Sequence, residues 1–347
     1  MDEKVCAIIV TFNSEKYIGE LVNSLKRQTH PVEIVVIDNG SIDGTVKIAE
    51  EAGAAIIKNA DNLGFAAANN IGAQHARSIF SPDFLLLVNP DIIAHERMVE
   101  EMLKTFLSAP GSAVVQAKLF LMKERYLLNT AGNAIHFLYF SYCMGYRKKD
   151  YAFSDEEIPV ASGACMMIKE KTLKSVGKLF NDVFFLYNED TDLCLRARIM
   201  GYNIVLSANA VGWHDYTFIS GNNEKFFHME KNRLFLALQN YRLITLAILS
   251  PAFLFTEAQV LLFSLMEGWL SYKIRSYSWL ISNLKNIRQS RREVQGKRIL
   301  KDRELMKLMT PNLNFEELKN PGIRLITNPA LKLWRGMVIC FLNLFNI

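Results

Sequence analysis

The feature that most constrains this chain is a series of short, uninterrupted apolar runs in its first 110 residues, each ending in a polar cluster. Residues 5–10, 34–37, 54–57 and 84–88 have strand length and little polar alternation, so each expects burial on both faces. Helical patterns separate them. Tyr17, Ile18, Leu21 and Leu25 share one face, after an Asn13 and a Ser14 that both suit a helix cap; residues 45–52 form a second helix stopped by Gly53, and 65–79 a third. This alternation predicts a mostly parallel, Rossmann-like α/β sheet with helices on both faces. Ligands of such sheets bind beyond the carboxyl ends of the strands, where most of the polar clusters fall.

Residues 112–222 read as short strands with one strong helix, 189–200, and a strand at 203–206. A long helical pattern from 224 to about 248 merges into an apolar stretch, 243–266, interrupted by Pro251 and Glu257, and an amphipathic tail covers 331–347. The chain therefore divides into a catalytic domain, 1–240 (a donor half, 1–110, and an acceptor half, 111–240), and a helical extension, 241–347. The net charge of +5 is local in origin: residues 271–310 carry eleven Lys/Arg against three acids. With Trp269, Tyr272, Tyr277 and Trp279 beside it, this basic stretch suits an anionic membrane surface, and Trp334, Val338, Phe341 and Phe345 offer a second anchor. Charge at mid-membrane is costly, so helices lying on the surface are expected rather than a span; a soluble cap or a homo-oligomer interface is the alternative. The acidic start, Met1 to Val5, lacks the basic flank of a signal peptide. Five scattered cysteines form no CxxC pair, as for reduced, mostly buried thiols of a cytoplasmic protein.

Polar clusters at the strand and helix ends carry the chemistry. The first strand ends in Thr11-Phe12-Asn13. The second ends in Asp38-Asn39-Gly40-Ser41, followed by Asp43-Gly44-Thr45; a carboxylate there accepts from a ribose hydroxyl or a base N–H, though an ordinary turn has the same sequence and Asp43 suits a helix cap. Asn62-Leu63-Gly64-Phe65 leads to Asn69 and Asn70, whose amides suit phosphate or sugar oxygens, or else mark a small-residue helix face. Asn89-Pro90-Asp91 sets a carboxylate at a strand tip; a hard divalent cation bridging a diphosphate needs few protein ligands. Glu189, Asp190 and Asp192 crowd the first turn of a helix, where the dipole favours one acid but does not need three. Mutual repulsion raises their pKa values, which suits a general base, and Arg196 is spaced to pair back to Asp192. Finally, His214 follows Trp213 after a predicted strand and suits metal ligation.

Taken in order, these clusters resemble a family 2 glycosyltransferase of GT-A fold, in the rhamnosyltransferase and galactofuranosyltransferase group, over roughly residues 4–245. The resemblance implies transfer from a nucleoside-diphosphate sugar, first of all rhamnose, to a glycan or polyprenyl-diphosphate-linked acceptor at the cytoplasmic face of the membrane. Thr11, Asn13, Asp38 and Asp43 would line the nucleoside pocket; Asn62, Phe65, Asn69 and Asn89 would shape the ribose and diphosphate region. Asp91 and His214 would hold Mg²⁺ or Mn²⁺, Asp190 would be the base, and Gly163, Glu189, Asp192, Arg196 and Trp213 would support the acceptor side. Asn89 stands where the family's metal motif has its first acid, which removes one charge from that site. No dehydrogenase GxGxxG follows the first strand, and the basic stretch lacks a module that reads nucleic acid. The reading from another class is a catalytically inactive transferase-like membrane scaffold.

Overall fold

The computed structural model describes residues 3–217, 223–314 and 327–345. Four parallel strands, β1 (Val5–Thr11), β2 (Val32–Asp38), β3 (Ala55–Lys58) and β4 (Phe84–Val88), form the first half of the sheet in the order β3-β2-β1-β4. Period-2 alternation sends Cys6 and Ile8 of β1 to one apolar layer, and Val5, Ala7 and Ile9 to the other. The register pairs Thr11 with Asp38, so two of the polar clusters end side by side.

The connecting helices are α1 (Ile18–Lys26), α2 (Thr45–Glu51) and α3 (Gly64–Ile79). The expected cap of α1 is not made by Asn13 or Ser14. The Ser14 carbonyl accepts the Tyr17 and Ile18 N–H groups instead, and the Asn13 side chain crosses to the Ile42 N–H. In α3, the small face packs on the sheet: a Cβ on Gly72 would lie 2.5 Å from Ile8.

The second half adds β5 (Ile92–Ala94), β6 (Ser112–Leu121), four short strands β7 (Leu128–Thr130), β8 (Asn133–Ile135), β9 (Ser141–Cys143) and β10 (Glu156–Glu157), then β11 (Cys165–Lys169) and β12 (Asn203–His214). The sheet continues β4-β11-β6-β12-β10, with β11 antiparallel to both neighbours and β12 parallel to β6. Its helices are α4 (Met98–Ser108), α5 (Glu170–Val176) and α6 (Glu189–Ile199). The strand predicted at 203–206 is three times that length. The polar residues after Leu206 are not its end but an irregularity in register between Ser207 and Val211, beyond which β12 pairs with β6 on one side and β5 on the other.

Among the described residues five further helices follow α7 (Glu224–Asn240): α8 (Leu243–Met266), α9 (Leu270–Ser282), α10 (Leu284–Gly296), α11 (Asp302–Lys307) and α12 (Asn328–Leu344). The single helix predicted from 224 to 248 is broken at Tyr241 and Arg242, both extended. Tyr241 is buried with its hydroxyl on the Phe137 carbonyl at 2.8 Å, and the Arg242 N–H reaches Asp302 at 2.8 Å. Glu257, expected to interrupt α8, lies within it. It joins Glu230, Arg233 and Lys273 in a cluster of two acids and two bases that binds α7, α8 and α9 together. Leu280, Ile287, Leu305 and Leu331 continue the same apolar layer that covers one face of the sheet. The last two residues of the predicted tail lie outside the described residues.

Part of the basic stretch is absorbed by the protein. Lys273 is buried in the cluster, Arg275 pairs with Glu224, Arg291 and Lys297 donate to backbone carbonyls, and Arg298 meets Asp302. The thiols of Cys6, Cys165 and Cys194 are buried, and burial pushes each up to about 12.

Candidate active site

The polar ends of β1, β2 and β4 and the starts of α3 and α6 form one continuous hydrogen-bonded rim. Asp38 is buried and accepts from the Thr11 hydroxyl at 3.0 Å and the Ser41 N–H at 2.9 Å. Asp43 accepts from the Thr45 N–H at 3.0 Å and the Glu15 N–H at 3.2 Å. Both carboxylates thus hold the loops that would cradle a nucleoside. Asn13 takes a left-handed φ of 51° and, with Ser41, ties those loops together. Asn39 reaches the Gly64 carbonyl at 3.2 Å, and Asn62 accepts the Gly64 N–H at 2.9 Å. The amides of α3 are already committed: Asn69 donates to the Phe65 carbonyl of its own helix, and Asn70 to the Phe180 carbonyl and Asp182.

From α3 the rim passes to the helix carrying the three acids. The Phe65 N–H donates to the Phe185 carbonyl at 2.8 Å. Gly64 must be glycine here: its φ is +83°, and a Cβ would stand 2.5 Å from the same carbonyl oxygen. A Cβ on Gly163 would touch Asp190 at 3.4 Å and Phe65 at 3.5 Å, so these three residues meet. The Gly163 N–H donates to Asp190 Oδ2 at 2.9 Å, and the Thr191 N–H to Oδ1 at 2.5 Å. Next to Gly163, the Ala164 carbonyl accepts the Asn89 N–H at 2.8 Å, which ties the rim to the strand tip bearing Asp91.

Asp190 is oriented by backbone, and its carboxyl is raised by burial. Burial, reinforced by the charge of Asp190, pushes Glu189 up to about 8. Asp192 is fully buried and serves the helix: Arg196 donates to one oxygen at 2.8 Å, as the sequence spacing predicts, and Gln239 to the other at 2.7 Å. Arg196 also donates to the Lys178 and Leu179 carbonyls. Tyr187 and Asn188 enter α6 with left-handed φ values of 67° and 65°. Side chains of α7 hold this strained approach: Asn232 donates to the Leu186 carbonyl at 3.0 Å and the Tyr187 carbonyl at 2.6 Å, and Lys231 to the Val183 carbonyl at 3.0 Å.

Asp91 and His214 lie together. His214 Nε2 is 3.2 Å from Asp91 Oδ1, and the other ring nitrogen is 2.8 Å from Asn129 Oδ1. With Asn129 as acceptor, Nδ1 carries the proton and Nε2 turns a lone pair toward a carboxylate oxygen. Two electron-rich atoms so placed require a proton or a cation, and Asp91 Oδ1 is buried without a hydrogen-bond partner. The pair fits a hard divalent ion. Among the described residues no third His, Cys, Asp or Glu completes a cluster, which fits an ion whose remaining ligands come from a diphosphate and water. Trp213 points away from this pair, as alternate strand residues must; its ring lies 5.0 Å from the Arg125 guanidinium.

Asn129, Gln239, Lys231 and Asn232 join the site without being expected from the sequence. Asn129 sits on a three-residue strand with no pattern around it. The others stand on α7, whose buried face carries polar residues; such mixing was the available signal.

Residues 6–177 match the family described as glycosyl transferase family 2. The chain belongs to glycosyltransferase family 2. It is 26% identical over 204 residues to the low-salt glycan biosynthesis hexosyltransferase of Haloferax volcanii, an alignment covering 59% of this chain and 64% of that protein. The N-acetylglucosaminyl-diphospho-decaprenol L-rhamnosyltransferase of Mycobacterium tuberculosis is 22% identical over 245 residues, covering 64% of this chain and 80% of that one. In fold, the chain resembles a mannosyltransferase from Pyrobaculum calidifontis solved with GDP-Man and Mn²⁺, with a TM-score of 0.50 at 16% identity over 82% of this chain and 88% of that one. This family 2 member thus has the mostly parallel GT-A sheet expected, followed by a helical C-terminal region.

Proposed function

We propose that this family 2 chain moves a sugar, rhamnose first, from a nucleoside-diphosphate donor to an acceptor hydroxyl with inversion. The observation that carries the reading is the meeting of Asp91 with His214 on a rim that continues, through Asn89, Ala164 and Gly163, to Asp190. Thr11, Asn13, Asp38 and Asp43 frame the nucleoside, and Asn62, Phe65 and Asn89 the ribose and diphosphate, with Asn69 bracing the start of α3. Asp91 and His214 would hold Mg²⁺ or Mn²⁺, which offsets charge on a departing diphosphate. Asp190 takes the proton of the acceptor hydroxyl, its carboxylate aimed by the Gly163 and Thr191 N–H groups. Burial keeps it basic, while Asp192, locked by Arg196 and Gln239, fixes the helix that presents it.

The acceptor proposed is a glycan or a polyprenyl-diphosphate-linked saccharide at the cytoplasmic face of the membrane, the class named for the mycobacterial relative. An exposed apolar face supports that location. Leu254, Leu262 and Leu265 on α8, Ile274 and Ile281 on α9, and Leu333 and Leu344 on α12 are all exposed. Among the described residues α8 alone is long and apolar enough to cross a membrane; held to α7 and α9 by the Glu257 cluster, it reads as lying on the surface.

The test is thermal stabilisation of the protein by nucleoside diphosphates and nucleotide sugars, with and without Mn²⁺. A donor at about 100 times its Kd adds about 2.7 kcal/mol. A shift with one nucleotide, increased by Mn²⁺, supports the reading and identifies the donor. No shift with any donor, in folded protein, favours the inactive scaffold.

A further inference from the structure

A cavity of about 750 Å³ lies behind the catalytic helix, between the segment after α5 and helices α7, α9 and α10. It is distinct from the rim just described, and its chemistry is different. Five side-chain amides face it, from Asn181, Gln239, Asn283, Asn286 and Gln289, together with the half-buried indole of Trp279. Each amide already donates within the protein, to Ser290, Asp192, the Trp279 carbonyl, Asn283 and Glu293 in turn, and keeps acceptor capacity for a sugar hydroxyl, and an aromatic face stacks on the C–H groups of a pyranose. Gln239 Oε1 is buried with no hydrogen-bond partner, an acceptor left over after its amide nitrogen has been given to Asp192. A native polar atom in that condition points to an absent donor.

The charges of the cavity are already matched within the protein. Lys178 pairs with Asp182 at 2.5 Å, Arg196 with Asp192 at 2.8 Å, and Lys297 donates to the Ser175 carbonyl at 3.0 Å. Glu293 accepts the Gln289 amide at 3.1 Å. Lys297 keeps a positive charge and Glu293 a negative one, so the lining balances and favours neither an anion nor a cation, while the volume is ample for a small molecule.

We infer that this cavity binds a neutral saccharide, at a site separate from the one where transfer occurs. Its wall is also the support of the catalytic helix. Gln239 holds Asp192, and Trp279 carries the Lys231 ammonium 4.4 Å from its ring centre, with Lys231 acting in turn on Glu189. Occupancy by a glycan is therefore transmitted to the start of α6 through two side chains. The inference rests on this chemistry and not on the transfer reading.

The experiment is titration of the full chain with chitotriose, maltotriose and mannotriose, followed by calorimetry and saturation-transfer NMR. The variant is Asn286→Ala with Gln289→Ala; both residues are exposed on α10 and outside the proposed transfer machinery. At least one trisaccharide binds the wild type, and the double variant weakens it about tenfold or more, the loss of two hydrogen bonds. Failure of all three to bind, or equal binding by the double variant, overturns the inference; the latter outcome places the saccharide at the transfer rim. Nucleotide-induced stabilisation is read on the same samples. Donor binding without saccharide binding sinks this inference alone, and the reverse sinks the transfer reading alone.

Discussion

His214 Nε2 faces Asp91 Oδ1 at 3.2 Å, and Asn129 grips the opposite ring nitrogen. This arrangement makes Asn129 a positioning residue whose effect is on metal affinity rather than on the nucleotide pocket. Asn129→Ala is expected to raise the Mn²⁺ concentration needed for half-maximal donor stabilisation about 10–100-fold. Asp91→Ala and His214→Ala are expected to abolish the Mn²⁺ enhancement while metal-free nucleotide binding persists. Mn²⁺ titration of the thermal shift checks all three; an unchanged Mn²⁺ response in His214→Ala removes the imidazole from the metal site.

Asp190→Asn is expected to lower kcat about 10²–10⁴-fold with donor binding preserved. A base with a raised pKa loses activity as pH falls through that pKa, so transfer should be lost on acidification at a higher pH than an ordinary aspartate would give. Glu189 and Asp190 titrate as a pair, with burial and the Asp190 charge lifting Glu189 to about 8. Glu189→Gln removes the partner that titrates near 8, and the part of the rising limb near that pH should disappear. A limb that stays in place in a kcat–pH profile would show that the pair is not coupled in turnover.

The four-charge cluster sets a stability prediction with a definite sign. Burial alone raises the Glu257 carboxyl, but Arg233 and Lys273 overcome it and hold it down at about 2, against an ordinary 4.5. Its contribution is present above 4.5 and is lost as pH falls toward 2. Lys273→Met leaves two carboxylates facing one guanidinium and is expected to cost about 3–5 kcal/mol. Chemical denaturation of wild type and variant at pH 7 and pH 3 measures both; a variant deficit as large at pH 3 as at pH 7 contradicts the assignment.

Gly64→Ala is expected to destabilise the chain by about 1–3 kcal/mol and to lower transfer, because the new methyl group displaces Phe185 and with it the approach to α6. Thermal denaturation together with kcat reads the two effects; a stable and fully active variant would mean that the loop is not held where it is seen.

Membrane binding, if driven by the apolar face of α8, α9 and α12, should persist at high salt and on uncharged phosphatidylcholine vesicles. Leu254→Asp with Leu262→Asp should release the protein. Vesicle flotation distinguishes this from an electrostatic attachment, which salt screens within a Debye length of about 10 Å at 0.1 M.

The first half of the sheet was legible in the sequence because each strand there is one apolar run, and Asp38 and Asn89 follow directly at the strand ends. Asp91 and His214 were named as partners only through the resemblance, since nothing local links a strand tip to a residue on a distant strand. The extent of β12 was underestimated because its middle is polar, and polarity within a strand does not distinguish an end from a change in register. The C-terminal half was harder to read. Glu257 and Lys273 look like an obstacle to burial and a surface charge until the fold brings them together with Glu230 and Arg233, and Tyr241 breaks a helix for a hydrogen bond made to a residue in the acceptor half. The basic stretch gave a membrane-facing expectation, yet part of it is spent on the chain's own carbonyls and acids.

The pairing of β12 with β5, which sets His214 opposite Ile92 and Trp213 opposite Ile93, has a consequence for how such enzymes diverge. Side chains on a strand alternate strictly between faces, so the gain or loss of one residue between the register shift and His214 would carry the imidazole to the wrong side. A chain that keeps the imidazole beside Asp91 therefore keeps the length of this strand segment, and has room for an insertion only in the loops beyond the ladder.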